Sequence, residues 1–111
     1  MWVFTIDGFY SAVQHRDHAD SLTVRARDRE DMVRMQQRVG NDAPISHTPH
    51  RDYAYRITLS KAAWAAYLTA ACEAIDYGNF KDAVAERQGW DRAHLYGEVW
   101  VTMLELQRES A

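Results

Sequence analysis

The first half of the chain alternates apolar and polar residues over short stretches, which is the period of a strand with one buried face. The opening stretch predicts a β-hairpin in which Asp7-Gly8 forms a two-residue turn with positive φ at both residues. Later alternation predicts a third strand and, after a proline-containing loop over 41–51, a fourth strand whose buried face includes Tyr53 and Ile57. The predicted strands are residues 2–6, 9–15, 22–27 and 53–59.

Apolar residues recur every three or four positions elsewhere, which predicts four amphipathic helices. The second helix, capped by Ser60, has the most continuous stripe: Trp64, Tyr67, Leu68, Ala71, Cys72 and Ile75. The other expected N-caps are Asp28, Asn79 and Asp91, and Gly40 and Gly89 are expected to end the first and third helices. The last helix is expected to bury Leu95, Val99, Met103 and Leu106, and Tyr96 and Trp100 widen this stripe. Trp90 is expected to pack onto Leu95 as a hydrophobic staple.

The predicted elements follow the order β-β-β-α-β-α-α-α, which indicates an α+β fold. Three consecutive strands and one strand–helix–strand crossover suit a four-stranded mixed sheet with helices packed on one face. Such an architecture is ferredoxin-like in character. The length of 111 residues is that of one ordinary domain, so we expect a single domain over 1–111.

Composition restricts the class of protein. Hydrophobic residues make up 47% and charged residues 26% of the chain, the balance of a globular protein. The lone Cys72 cannot form an internal disulfide, and no window has the roughly 18 apolar residues of a membrane span, so a cytoplasmic location is expected. The formal net charge of −3 argues against strong nonspecific binding to nucleic acid, which needs many phosphate contacts.

Three arginines form the first candidate site. Arg25 and Arg27 alternate with the apolar residues of the third strand, and Arg56 does so in the fourth, so all three are expected on the polar face with Thr23 and Thr58. Guanidinium groups match phosphate and carboxylate geometry. The alternative is an ordinary solvated face with arginines paired to nearby acidic residues. Tyr10 and Gln14 are expected near this face if the hairpin adjoins it.

Two further groups of side chains are candidate sites. The histidines of the two long loops, His15, His18, His47 and His50, have spacings seen in metal sites, or else are solvent-exposed side chains. Lys81, Arg92 and His94 lie near the ends of the last helices and are candidates for a polar cleft. A helix N-terminus disfavours the cationic form of His94, which would suit a neutral base. Cys72, within the apolar stripe, is expected to be inert packing.

Several stretches taken together resemble a group of small bacterial proteins of similar length for which no activity is established. The stretches are residues 2–14, 22–27, 52–56, 75–82 and 92–96, together with Trp100. The resemblance covers nearly the whole chain and implies a bacterial, single-domain protein. It implies no cofactor and no catalytic residue.

The sequence therefore leaves three functional interpretations. The leading one is a noncatalytic binding module that uses the arginine-bearing face, with an acidic protein favoured over single-stranded nucleic acid because of the net charge. The alternative is a small hydrolase or nuclease acting on a phosphate-containing substrate, with His94 or His15 as base. The third is a homodimer formed through a sheet edge or surplus aromatic residues. No Gly-rich phosphate loop, metal finger or nucleophile elbow occurs in the sequence, so no cofactor is expected.

Overall fold

The structure, a computed structural model, describes residues 1–110, with side chains described for residues 1–108. Two compact units can be distinguished along the chain, Met1–Asp76 and Tyr77–Ala111. The first unit contains a sheet and two helices, and the second is helical. The α+β class is confirmed, whereas the expectation of a single domain stays a prediction.

The sheet of the first unit has five strands rather than four. They are β1 (Trp2–Phe4), β2 (Phe9–Gln14), β3 (Ser21–Ala26), β4 (Ser46–His47) and β5 (Tyr55–Ser60). Their order in the sheet is β1-β2-β3-β5-β4, and every neighbouring pair is antiparallel. The prediction of a mixed four-stranded sheet was therefore wrong.

The extra strand β4 explains this difference. It arises within the loop predicted over 41–51 and pairs antiparallel with β5, which lies between β3 and β4. Helix α1 (Arg29–Val39) connects β3 to β4, but β5 lies between these two strands in the sheet. The strand–helix–strand crossover therefore produces no adjacent parallel pair. A ferredoxin-like fold is not confirmed, because this unit runs βββαββα rather than βαββαβ.

The first hairpin forms as predicted but with a different turn. Phe4 pairs with Phe9, so four residues connect the strands, and the Thr5 N–H donates to the Gly8 carbonyl at 2.9 Å. Neither Asp7 nor Gly8 has a positive φ. A connection of four residues is usually built around a type I turn, which needs no positive φ. The predicted two-residue turn was wrong for this reason.

Helices α1 (Arg29–Val39) and α2 (Lys61–Glu73) cover one face of the sheet. The predicted N-caps are confirmed, since the Asp28 carboxylate accepts from the Glu30 N–H at 3.1 Å and the Ser60 hydroxyl accepts from the Ala63 N–H at 3.0 Å. Between sheet and helices lies one core of buried side chains: Tyr10, Ala12, Val24, Ala26, Met32, Met35, Ile57, Leu59, Trp64 and Tyr67.

The apolar stripe of α2 is only partly buried. Trp64 and Tyr67 lie in the core, but Cys72 is exposed and Ile75 lies beyond the end of the helix with 56% of its surface exposed. The expectation that Cys72 is buried packing was therefore wrong. Leu68 and Ala71 still pack against the core, so periodicity overstated the contact only at Cys72 and Ile75.

The second unit contains α3 (Phe80–Gln88), α4 (Trp90–Met103) and α5 (Glu105–Ser110). The Asn79 side chain caps α3 as predicted, accepting from the Asp82 N–H at 2.9 Å. Helix α4 begins at Trp90, one residue before the predicted cap Asp91. Gly89, with φ of 95°, separates the two helices.

The side of α4 that faces α3 shares only Tyr96 with the predicted stripe. Ala93 and Tyr96 are buried, and the Tyr96 ring stacks on Phe80 with centroids 5.8 Å apart. Gly97 continues this small-residue face against the Lys81 side chain. The predicted stripe is exposed instead, as are both members of the predicted staple: Trp90, Leu95, Val99, Met103 and Leu106. The side of α4 that packs against α3 therefore consists of Ala93, Tyr96 and Gly97.

Over the part of the chain that the structure describes, no helix combines the length and apolar character needed to cross a membrane.

Candidate functional site

One row of side chains crosses all five strands on the face opposite to α1 and α2. Pairing places Trp2 opposite Ser11, Ser11 opposite Arg25, and Arg25 opposite Arg56, which in turn pairs with Ser46. Residues directly opposite in antiparallel strands project to the same side of the sheet. The strands that carry Arg25 and Arg56 are thus immediate neighbours, as the sequence argument required.

Tyr53 supports two of the arginines. The guanidinium carbon of Arg25 lies 4.5 Å from the centre of its ring, and that of Arg27 lies 4.7 Å from it. Tyr53 precedes β5 and is only 4% exposed. Its contacts place it on the arginine side, so the prediction that it shares the buried face of Ile57 was wrong. The strand begins two residues later than predicted, and the strand alternation therefore does not extend to position 53.

The two paired arginines have unsatisfied donors. Arg25 donates through Nη2 to the Ser11 hydroxyl at 2.7 Å, and Arg56 approaches the 68% exposed Asp52 carboxylate only to 3.9 Å. The Nε atoms of both arginines are buried and have no hydrogen-bond partner. Like charges directly opposite in a sheet destabilise it, and an unsatisfied buried donor adds a further cost. A negatively charged group at the accessible side of the two guanidinium groups would relieve the repulsion. We call Ser11, Arg25, Arg27, Tyr53 and Arg56 the arginine face.

An aromatic strip adjoins the arginine face. Phe4 stacks on Phe9 with centroids 4.5 Å apart, and Trp2 meets Phe9 edge to face at 6.0 Å. Phe9 also lies 6.3 Å from Tyr53, which links the rings to the arginines. Trp2 is 68% exposed. We call Trp2, Phe4 and Phe9 the aromatic strip. None of these three residues is among the site residues predicted from the sequence.

Two residues expected near the arginines lie elsewhere. Tyr10 is 0% exposed, and its hydroxyl donates to the Asp31 backbone carbonyl on the helix-covered side of the sheet. Gln14 is exposed, but its amide donates to the Ala19 carbonyl at 2.8 Å within the adjoining loop. Strand alternation separates both from Ser11, so neither belongs to the arginine face.

The remaining predicted site residues belong to the second unit. His94 is paired with Glu98 at 2.9 Å and its side chain is 74% exposed. The Arg92 guanidinium carbon lies 5.9 Å from the centre of the Tyr96 ring, and Lys81 extends along Gly97. These contacts lie within or between the helices of that unit, and the predicted cleft stays a prediction.

The loop histidines make ring contacts. His15 stacks on His18 with centroids 4.9 Å apart, and His47 stacks on Tyr55 at the same distance. The His15 Nδ1 accepts from the Asp17 N–H at 3.0 Å. Within the described residues, no three His, Cys, Asp or Glu side chains come together in an arrangement suited to a metal ion.

A second charged cluster lies between the first hairpin and helices α1 and α2. Asp7 is 0% exposed, and its carboxylate accepts from Arg38 Nε at 2.6 Å and Nη2 at 2.8 Å. The Tyr67 hydroxyl donates to the same carboxylate at 2.8 Å. Because this uses the single hydrogen of the Tyr67 hydroxyl, the Tyr67 oxygen accepts a hydrogen bond from the Thr5 hydroxyl, which lies 2.9 Å away. Thr5, Asp7, Asp31, Arg34, Arg38 and Tyr67 form what we call the closed cluster.

Arg34 links the two buried acidic residues of the closed cluster through the Asp7 backbone and the Asp31 carboxylate. Its Nε donates to the Asp7 backbone carbonyl at 2.6 Å, and its Nη2 donates to Asp31 at 2.6 Å. Asp31 also accepts from the Phe9 N–H at 3.0 Å. A Cβ at position 8 would overlap the Asp31 side chain, so glycine is required there by close approach rather than by its backbone angles.

Burial raises the pKa of both tyrosines at this location. For Tyr10, burial is the main cause, reinforced by the charges of neighbouring groups including Tyr67 and Asp31, and its pKa lies well above the ordinary value. Burial likewise raises the pKa of Tyr67, although the Thr5 hydrogen bond works in the opposite direction. The hydrogen bond to Asp7 raises the pKa of Arg38. The closed cluster thus holds a neutral Tyr67 beside a charged Arg38.

The two charged regions differ in what they offer a ligand. The closed cluster satisfies its two buried carboxylates internally and has no exposed acidic group. The arginine face presents two directly paired guanidinium groups beside the exposed Trp2 ring. The arginine face with its aromatic strip is therefore the candidate site. Comparison with known proteins adds no further constraint: no family model, no curated protein and no solved structure matches this chain.

Proposed function

We propose that this protein is a noncatalytic binding module that holds an anionic group of its partner on the arginine face. The observation that carries the proposal is the direct pairing of Arg25 with Arg56 on the open face of the sheet, where the Asp52 carboxylate approaches Arg56 only to 3.9 Å. A carboxylate or phosphate at the accessible side of the two guanidinium groups would offset their repulsion.

The surroundings of the pair support binding by preorganisation. Ser11 and Tyr53 hold the Arg25 guanidinium, and Tyr53 also supports Arg27. Side chains fixed in this way lose less conformational entropy when a ligand binds. Guanidinium groups and rings position a ligand, and this face brings them together without a nucleophile–base pair, so we assign it a binding role.

The experiment compares two double variants with the same change of charge. Arg25→Gln with Arg56→Gln removes the paired guanidinium groups, and Arg16→Gln with Arg29→Gln removes two exposed arginines outside the arginine face. Two fluorescein-labelled probes are titrated by fluorescence anisotropy: a ten-residue glutamate peptide and a ten-nucleotide single-stranded oligothymidylate. Circular dichroism confirms that each variant is folded.

We expect at least one probe to bind the wild-type protein and to bind the face variant about tenfold more weakly, while the control variant keeps wild-type affinity. Failure of the wild type to bind either probe would overturn the proposal. Equal weakening by the two double variants would also overturn it, because that result indicates a general charge effect.

A further inference from the structure

We infer that the anionic partner is a single-stranded nucleic acid, with its phosphates on Arg25 and Arg56 and its bases on the aromatic strip. This inference rests on the proposed function and names the ligand class. The net charge of −3 favours an acidic protein as the partner. The aromatic strip, which only the tertiary structure brings beside the arginines, favours a ligand that has planar bases as well as negative charge.

The rings and the guanidinium groups form one continuous surface. Trp2 belongs to the same cross-strand row as Arg25 and Arg56, and Phe9 connects it to Tyr53. Strands lie about 4.8 Å apart, so the row spans roughly 14 Å from Trp2 to Arg56. A single strand of nucleic acid supplies both a phosphate and a planar base in each nucleotide, and this surface has a partner for each.

The exposed ring separates this ligand from an acidic peptide. Trp2 exposes 68% of its surface on a sheet face that also contains the unsatisfied arginines. Exposed aromatic side chains on a sheet are stacking platforms for unpaired bases, and stacking is tolerant of sequence. A chain of glutamate residues would satisfy the guanidinium groups but would leave the Trp2 ring in water.

The number of arginines at the site sets the expected salt dependence of binding. If each of the three arginines contacts one phosphate of a single strand, a plot of log affinity against log salt concentration should have a slope of about −2. Double-stranded DNA would bind more weakly than a single strand, because its bases are already stacked within the helix and cannot reach Trp2.

The test uses the same oligothymidylate and glutamate probes with two matched tryptophan variants. Trp2→Ala removes the exposed ring of the strip, and Trp90→Ala removes a ring of the second unit that is 67% exposed. We expect Trp2→Ala to weaken oligothymidylate binding about fivefold or more and to leave glutamate-peptide binding unchanged. Trp90→Ala should leave both affinities unchanged. Because Trp2 is exposed, its replacement should leave the fold intact, which circular dichroism verifies.

Each other outcome decides against the inference, and the outcomes separate it from the proposed function. If the glutamate peptide binds through Arg25 and Arg56 but oligothymidylate does not, the nucleic-acid inference is overturned and the proposed function stands. If oligothymidylate binds equally well to wild type and Trp2→Ala, stacking on the strip is ruled out. If neither probe binds the wild type, both proposals fail together.

Discussion

The closed cluster and the arginine face each bring arginines of the sheet unit close together, but buried carboxylates neutralise the arginines only in the closed cluster. In the closed cluster, Arg38 is held by both oxygens of buried Asp7, and Arg34 is paired with Asp31. On the arginine face, Arg25 and Arg56 oppose each other, and their Nε atoms have no acceptor. Charge that is satisfied inside the protein stabilises its fold. Charge left unsatisfied at an accessible surface is suited to a partner.

The two regions can be compared by replacing one arginine with glutamine in each, and the largest effect on stability is expected in the closed cluster. Arg38→Gln leaves the Asp7 carboxylate buried without its cation, which should lower the free energy of unfolding by about 3 kcal/mol. Urea denaturation at neutral pH measures the change. Asp7→Asn should have a similar cost, and the double variant should cost less than the sum of the two single ones. Strict additivity would contradict a direct coupling between these residues.

A smaller effect is expected from crowding the closed cluster without changing its charge. Gly8→Ala places a methyl group onto the Asp31 side chain, which Arg34 and the Phe9 N–H hold in place. Overpacking of this kind should lower the free energy of unfolding by about 2 kcal/mol. Gly78→Ala is the matched control, because a Cβ there meets no other atom. Equal unfolding midpoints for the two variants would show that Asp31 moves aside freely.

Tyr67 of the closed cluster and the adjoining Tyr10 predict a loss of stability in alkali. Because burial raises the pKa of Tyr10 and Tyr67 in the folded state, both keep their protons at a pH where the unfolded chain loses them. Their contribution is therefore complete below pH 10, the ordinary tyrosine value, and is lost as the pH rises toward the folded-state pKa. The expected slope is about 1.4 kcal/mol per pH unit for each tyrosine.

Unfolding curves between pH 9 and pH 11 test this slope against Tyr67→Phe. The variant should be less stable at pH 9, because Asp7 loses a donor, but its stability should fall less steeply above pH 10. Parallel curves for wild type and variant would mean that Tyr67 does not retain its proton on folding.

The smallest effect is expected on the arginine face, and it completes the comparison. Arg56→Gln removes a cation that faces Arg25 and lies 3.9 Å from an exposed carboxylate. The free energy of unfolding should stay within about 0.5 kcal/mol of wild type or increase slightly, because repulsion is relieved. The same urea titration applies. A loss as large as that of Arg38→Gln would assign Arg56 a structural role and would weaken the binding proposal.

The elements and caps of this protein could be predicted from the sequence because local chemistry fixes them. Alternation located β2, β3 and most of β5, and side-chain oxygens at Asp28, Ser60 and Asn79 satisfied the first N–H groups of three helices. The three arginines of the candidate site followed from the same alternation, since neighbouring positions of a strand project to opposite sides of the sheet.

Tertiary structure alone decided the closed cluster, the aromatic strip and the exposed side of α4. Asp7 and Arg38 are 31 residues apart, and only the packing of α1 against the hairpin brings them together. The same holds for Trp2 and Arg25, whose shared face depends on strand order and register. Helix α4 packs Ala93 and Tyr96 against α3 and leaves Leu95, Val99 and Met103 exposed, which periodicity within the one helix does not specify. Spacing along the chain determines which side chains share a face of one element, whereas pairing between distant elements determines which charges are neutralised and which stay available for a ligand.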